Sequence, residues 1–285
     1  MARNPWLPYV NAFSATVRRG RKIPLPKLQP PPKLRPDAPR VLIFSPHPDD
    51  EVIIGSLPLR LMKQRGYRVV NVAVTLGSKA SRRDARLEEL RHACAFAGFD
   101  LEVPNPRIMQ RIHTSERDQQ PIRWSEKVDL ISELLLRLKP VAILYPHKDD
   151  WNRTHVGTHW LIRDVLATVG DKIELDLFET EFWGQMHEPN LLVEVPSTIL
   201  ATQLGALALH RGEVERNPYH LILPAWMMDN VRRGAELVGG QGGESPGFLF
   251  GVLYRWRLWK KGQIEETYPG HPFVPAGVKP PVTQG

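Results

Sequence analysis

The sequence predicts an α/β protein with a three-layer, Rossmann-like fold, a mostly parallel sheet flanked by helices. Three observations predict it. Short runs rich in β-formers alternate three times with segments of helical apolar spacing. Each run is apolar throughout, as in a strand covered on both faces. Two polar clusters fall where the first and third of these runs end. In such sheets ligands bind outside the carboxyl ends of the strands, so the active site is expected there.

The first run, "RVLIFS", begins at Arg40 and predicts a strand. From Asp50 to Arg65 the apolar spacing turns helical, with a kink expected at Pro58 and a stop at Gly66. "YRVVNVAVTLG" predicts a second strand, ending at Gly77. In the next helix Ser81 and Asp84 are spaced like a capping box. Leu87, Leu90, Cys94 and Ala97 share one face, and Gly98 ends it. Cys94 reads as a small core residue. Arg107 to Trp124 reads as a loop, "EKVDLISELLLRLKP" as an amphipathic helix and "VAILYP" as a third buried strand. Strands around Glu174 to Trp183 and Leu191 to Val195, then a helix from Ser197 to about His210, extend the same unit. "GGQGG" lacks the spacing of a nucleotide-binding loop and reads as a turn. "FLFGVLYRWRLW" reads as a late strand or hairpin, and the proline-rich end from Tyr268 as loosely held. No internal repeat is present.

The expected organisation is a basic, proline-rich N-terminal arm (1–39), one domain (40–267) and a proline-rich tail (268–285). Between Arg18 and Arg40 stand eight Lys or Arg residues and one acidic residue, interleaved with prolines. That composition reads as an extended solvated arm or a strap across the domain. The formal charge of +7 suits anionic partners in general. No nucleic-acid reader motif accompanies the arm, so nucleic acid is not expected as a partner. No apolar run is long enough to span a bilayer, and no secretory signal pattern opens the chain. With a single cysteine, a cytoplasmic location is the expectation, and oligomeric state is not readable.

The chemistry concentrates in "SPHPDDE", Ser45 to Glu51. His47 and Asp50, three residues apart across a strand-to-helix turn, can face one point and supply a nitrogen and an oxygen to a divalent ion. Asp49 between them can reach a water on that ion. A third ligand is then needed, and a histidine in "HKDDWNRTHVGTH" on the same rim is the natural source. The competing explanation is an Asp pair that merely caps a helix N-terminus.

"PHPDDE" after a first strand, "TLG" ending the second, Arg86 and Glu89 three apart in the next helix, and the later histidine motif resemble the PIG-L/LmbE family of zinc-dependent deacetylases. The resemblance covers roughly Arg40 to Val165, and more loosely extends to His210. It implies hydrolysis of an N-acyl group, usually acetyl, from a glucosamine-containing small molecule or glycoconjugate, with one Zn2+ per chain. By resemblance His47, Asp50 and His155 are the metal ligands, Asp49 is the general base, and Arg86 lies near the substrate. The family's later motif runs Asp-x-His-x-Asp-His. Here "DWNRTH" puts Asn152 where many members have a histidine proposed as general acid, and Thr154 where they have aspartate.

An amide cannot protonate a leaving amine. His159, four residues after His155, is therefore carried as the displaced acid, with a stand-in ligand or a partner to a ligand as its other roles. His147 reads as a loop-capping residue, and His210 as bordering the pocket at most. Trp151, Trp183 and Trp226 either stack on a sugar or fill the core. The alternative functions are another metal-dependent amidase, a phosphoesterase, or a carbohydrate-binding protein that has lost turnover.

Overall fold

A computed structural model describes residues 4–28 and 30–283. The chain enters through an exposed helix, α1 (Leu7–Gly20), which composition does not single out. The basic, proline-rich segment that follows has no regular structure. It lies along the domain as a strap, with Pro26 beside Gly205, Pro32 beside Gly98 and Leu34 packed on the core.

The domain proper follows in order: β1 (Arg40–Ser45), α2 (Asp50–Ile53), α3 (Ser56–Arg65), β2 (Arg68–Ala73), α4 (Arg83–Ala97) and β3 (Asp100–Glu102). Next come α5 (Thr114–Gln119), α6 (Pro121–Leu138), β4 (Ala142–Pro146), α7 (Arg153–Val169), β5 (Leu175–Thr180) and β6 (Leu191–Glu194). The chain closes with α8 (Ser197–Ala208), α9 (Arg211–Val214), α10 (Leu223–Leu237), β7 (Gly251–Lys260), β8 (Gln263–Glu266) and β9 (Phe273–Val274). The strands form one mixed sheet in the order β3-β2-β1-β4-β5-β7-β6-β9, with β8 hairpinned onto β7. The five strands β3, β2, β1, β4 and β5 pair in parallel; β7 runs antiparallel to both of its neighbours in that order.

Side chains alternate across a strand, and here both sets are apolar. Val41 and Ile43 point into a cluster with Leu57, Leu90, Leu207 and Met227 under α3, α4, α8 and α10. Leu42 and Phe44 point into the opposite cluster with Ile131, Leu135, Leu161 and Val165 of α6 and α7. Cys94 sits in the first cluster at 1% exposure, as the sequence predicts. Because the chain winds outward from β1 through β2 and β3, then crosses to β4, the topological switch point lies between β1 and β4. The loops leaving those two strands carry the two polar clusters.

Several local expectations are corrected. The helix expected over Asp50 to Arg65 breaks completely at Ile54–Gly55. Pro58 cannot donate to the Ile54 carbonyl. The Tyr254 hydroxyl donates there instead (2.9 Å), while the Leu57 N–H donates to the Tyr254 hydroxyl (3.2 Å). Ser81 and Asp84 form no capping box, because a single 3-10 turn (Ala80–Arg82) leads into α4 and Arg82 stands at its N-cap. The loop expected over Arg107 to Trp124 holds α5 and the first turn of α6. Its polar sequence is held by the buried pair Glu116–Lys127 (3.2 Å). The C-terminal end is not loose either: buried Arg60 donates to the carbonyls of Val274, Pro275, Ala276 and Val278, and Thr283 bonds Asp176.

Candidate metal centre and active site

β1 ends at Ser45, and the next four residues turn sharply before α2. Asp49 takes φ +116°, a strained left-handed value that Asp tolerates better than most residues. Two carboxylates hold this turn by local hydrogen bonds. Asp50 Oδ2 accepts from the His47 N–H (2.8 Å), and Glu51 Oε2 from the Asp49 N–H (2.9 Å). Glu51, fully buried, accepts at its other oxygen from His210 Nε2 (2.8 Å). The Asp49 side chain makes no cap hydrogen bond to α2, so helix capping does not account for it.

From β4, the loop His147–Asn152 delivers the other half. His147 is buried and donates to the Gly184 carbonyl (3.1 Å) while accepting from the Asp149 N–H, so it braces the loop as expected. Asn152 caps α7, its Oδ1 accepting from the Thr154 N–H (2.9 Å). One turn into α7, His155 turns inward against the edge of Phe182.

His155, His47 and Asp50 converge. Asp50 Oδ2 lies 3.2 Å from His47 Nδ1 and 3.3 Å from His155 Nε2, and the two nitrogens are 3.3 Å apart. In a tetrahedral site with bonds of about 2.0–2.1 Å, ligand atoms stand about 3.3–3.4 Å from one another. These three atoms therefore form one face of such a tetrahedron, and their chemistry suits a divalent ion. Asp150 Oδ2 accepts from His155 Nδ1 at 3.0 Å, which fixes the ring and leaves Nε2 for the ion. In the protein alone, burial resists ionisation of Asp50, yet His155 and His47 hold its carboxyl well below the usual carboxylate range. Burial likewise opposes protonation of His155, but Asp50 and Asp150 outweigh it and lift it to about 10.

The three donors open onto a cavity of ≈ 490 Å³, a size ordinary for small-molecule sites. Asp49 lies at its floor. Burial, and then the charge of Asp50, push its carboxyl up to about 7. Tyr219 donates to Asp49 Oδ2 at 2.5 Å. Arg86 reaches the same floor from α4 and donates to the Pro48 carbonyl (2.8 Å). Its guanidinium fills the space where a Cβ on Gly77 would stand, at 2.4 Å from Nη1, which gives the "TLG" glycine a packing reason. Arg82, Arg86 and Arg216 surround the single carboxylate of Glu213, and with Lys79 they make one wall of the cavity cationic. Trp151 and Trp183, 70% and 36% exposed, stand at the mouth.

The fold thus brings together His47, Asp49, Asp50, His155 and Arg86. It does not bring His159 to them. That residue is 2% exposed, donates from Nδ1 to the Pro146 carbonyl (3.0 Å) and packs against Tyr145 and Trp160, away from the cavity lining. The reason is distance along the helix: His159 shares the face of His155 but sits one turn, about 6 Å, further on, against Tyr145 and Pro146 of β4. His210 lies behind the floor, on Glu51. Tyr219, Glu213, Arg216 and the orienting role of Asp150 were not anticipated. Only Asp150 had a signal, standing five residues before His155; the other three come from the short helical turns after α8, which carry no motif.

The architecture is that of three-layer α/β proteins carrying a His/Asp/His group suited to a divalent ion at the topological switch point of a mostly parallel sheet. Residues 42–166 match the family model for PIG-L, GlcNAc-PI de-N-acetylase. Over these residues, fewer than half of the chain, the sequence is similar to that family. Among solved structures, teicoplanin deacetylase Orf2 in a zinc-inhibited form superposes with a TM-score of 0.56 at 14% identity, over 77% of this chain and 97% of that one. The N,N'-diacetylchitobiose deacetylase of Pyrococcus horikoshii gives a TM-score of 0.54 at 16% identity, over 87% and 92%. The 4-carboxy-2-hydroxymuconate hydratase of Pseudomonas putida KT2440 gives 0.55 at 15%, over 76% and 95%. At such identities the likeness is one of fold, and that fold is shared by deacetylases and a hydratase. No curated protein matches the sequence significantly.

Proposed function

We propose that the protein is a zinc-dependent hydrolase that removes an N-acyl group, acetyl in the simplest case, from a glucosamine-containing small molecule or glycoconjugate. The observation that carries this reading is the His47–Asp50–His155 face, with ligand-atom spacings of 3.2–3.3 Å, beside the half-buried carboxylate of Asp49. A divalent ion held there supplies Lewis acidity to a carbonyl oxygen and to a water molecule.

The residues of the chain do the rest. Tyr219 holds Asp49 Oδ2, and we assign proton transfer to Oδ1. Asp49 takes a proton from the attacking water as its oxygen bonds the acyl carbon. When the C–N bond breaks, the same carboxyl returns that proton to the leaving nitrogen, so water and amide become carboxylic acid and amine. This assignment needs neither Asn152, which is occupied as a helix cap, nor His159. Arg86, held by Pro48 over the floor, orients the sugar; Trp151 and Trp183 offer ring faces at the mouth.

A second reading, a hydratase of the same fold, is favoured by two observations: Asn152 at the family's usual histidine position and a hydratase among the fold neighbours. Amine release from N-acetylglucosamine derivatives, set against hydration of an unsaturated carboxylate, separates the two. The deacetylase reading predicts amine release that a chelator abolishes and zinc restores. Metal-dependent hydration without amine release would replace it.

A further inference from the structure

Helix α1 lies outside the core, with no buried residue of its own, and the chemistry described above makes no use of it. At 100° per residue Trp6, Tyr9, Val10, Phe13 and Val17 fall within an arc of about 100°, while Arg18 and Arg19 stand on either flank, each about 130° from its centre. The C-terminal end of the helix touches the domain, where Gly20 meets the side chain of Leu221. The rest of the stripe is bare: Trp6 is 69% exposed, Tyr9 63%, Val10 53% and Phe13 48%. The strap beyond it continues the pattern, with Ile23, Leu25 and Leu28 exposed among Arg21, Lys22 and Lys27. No acidic residue occurs in the sequence before Asp37.

We infer that α1 and the strap dock on an anionic lipid bilayer surface, α1 lying in the interface plane with its aromatic stripe among the acyl chains. Two features select this occupant. The combination of an apolar, aromatic face with flanking cations of one sign matches a lipid interface, whose headgroups are negative and whose interior is apolar. Against a second copy of the chain, the same segment would bring two cationic surfaces together with no acidic residue to answer them. The inference does not depend on the proposed hydrolase activity.

The test is flotation of the full chain with vesicles of phosphatidylcholine alone and with vesicles in which a third of the lipid is phosphatidylglycerol. The expected result is co-flotation with the anionic vesicles, weakening as salt rises. Arg18→Glu with Arg19→Glu should lower affinity about fivefold per cation. Trp6→Ser with Phe13→Ser should lower it about tenfold or more, with thermal unfolding unchanged because neither residue belongs to the core. No flotation with anionic vesicles at low salt, or flotation indifferent to the Trp6/Phe13 pair, would overturn the inference. A dimer that is lost in that pair without any flotation would assign the stripe to a second copy and overturn it equally.

Discussion

Asp49 is held in an unfavourable backbone conformation, half-buried, beside another carboxylate, with its N–H bound to Glu51 and one oxygen bound to Tyr219. Such an arrangement is costly for a residue with only a structural role, and natural for a base whose proton affinity must be raised. Asp49→Asn keeps the shape and removes the proposed base. We expect amine release to fall by about 10²–10⁴ while metal content stays that of the wild type. His159 gives the opposite expectation. Burial, with Arg163 and Arg257 nearby, lowers its pKa from the ordinary 6.5 to about 4, so the native state leaves it neutral where the unfolded chain protonates it. The stability this group contributes is complete above pH 6.5 and is lost as pH falls toward 4, by about 3 kcal/mol over that window. His159→Gln, which can still donate to the Pro146 carbonyl, should flatten the acid side of a stability–pH curve and leave amine release in place. Loss of turnover with an unchanged stability profile would restore His159 to the chemistry.

At the scale of elements, α7 positions the proposed third ligand, His155, and Gly157 sets how closely it can lie to the loop before α5. A Cβ there would stand 2.1 Å from the Ile112 carbonyl oxygen, a backbone atom that cannot swing aside. Gly157→Ala should destabilise the fold by about 2 kcal/mol. Because His155 is two residues away, metal affinity should fall about tenfold as well, measurable by competition with a chromophoric chelator. Which elements the sequence disclosed follows from their burial. β1, β2, β4 and α6 carry apolar residues at a fixed period and were legible. α5 was not, since its residues are polar and its support is by ion pairs, Glu116 with Lys127 of α6 and Arg117 with Asp164 of α7; the break before Pro58 was read as a kink because the hydroxyl that stabilises it, Tyr254, stands about 200 residues away in sequence.

At the scale of the whole molecule, the C-terminal segment is tied to the centre. Arg60 is 1% exposed and spends its guanidinium on carbonyls of Glu194 and of residues 274–278. Arg60→Ala removes the donor these carbonyls share, and that of Val274 is left buried without it. It should lower stability by about 3 kcal/mol and expose the C-terminal segment to proteolysis; Arg60→Lys, lacking the planar fork, should rescue little. The same long reach limits what sequence can tell about the site. His47, Asp49 and Asp50 are neighbours in the chain and His155 sits in a recognisable string, so the metal group was legible. Tyr219, Glu213 and Arg216 reach the cavity from short helical turns after α8, and only the folded chain brings them to the cavity that Asp49 lines.

The central claim is that one divalent ion is held by His47, Asp50 and His155. Elemental analysis of the purified wild type beside His155→Ala and His159→Ala tests it most directly. The account predicts near-stoichiometric zinc in the wild type and in His159→Ala, and its loss in His155→Ala. Zinc retained in His155→Ala but lost in His159→Ala, or a wild type that takes up no divalent ion on reconstitution, would contradict it.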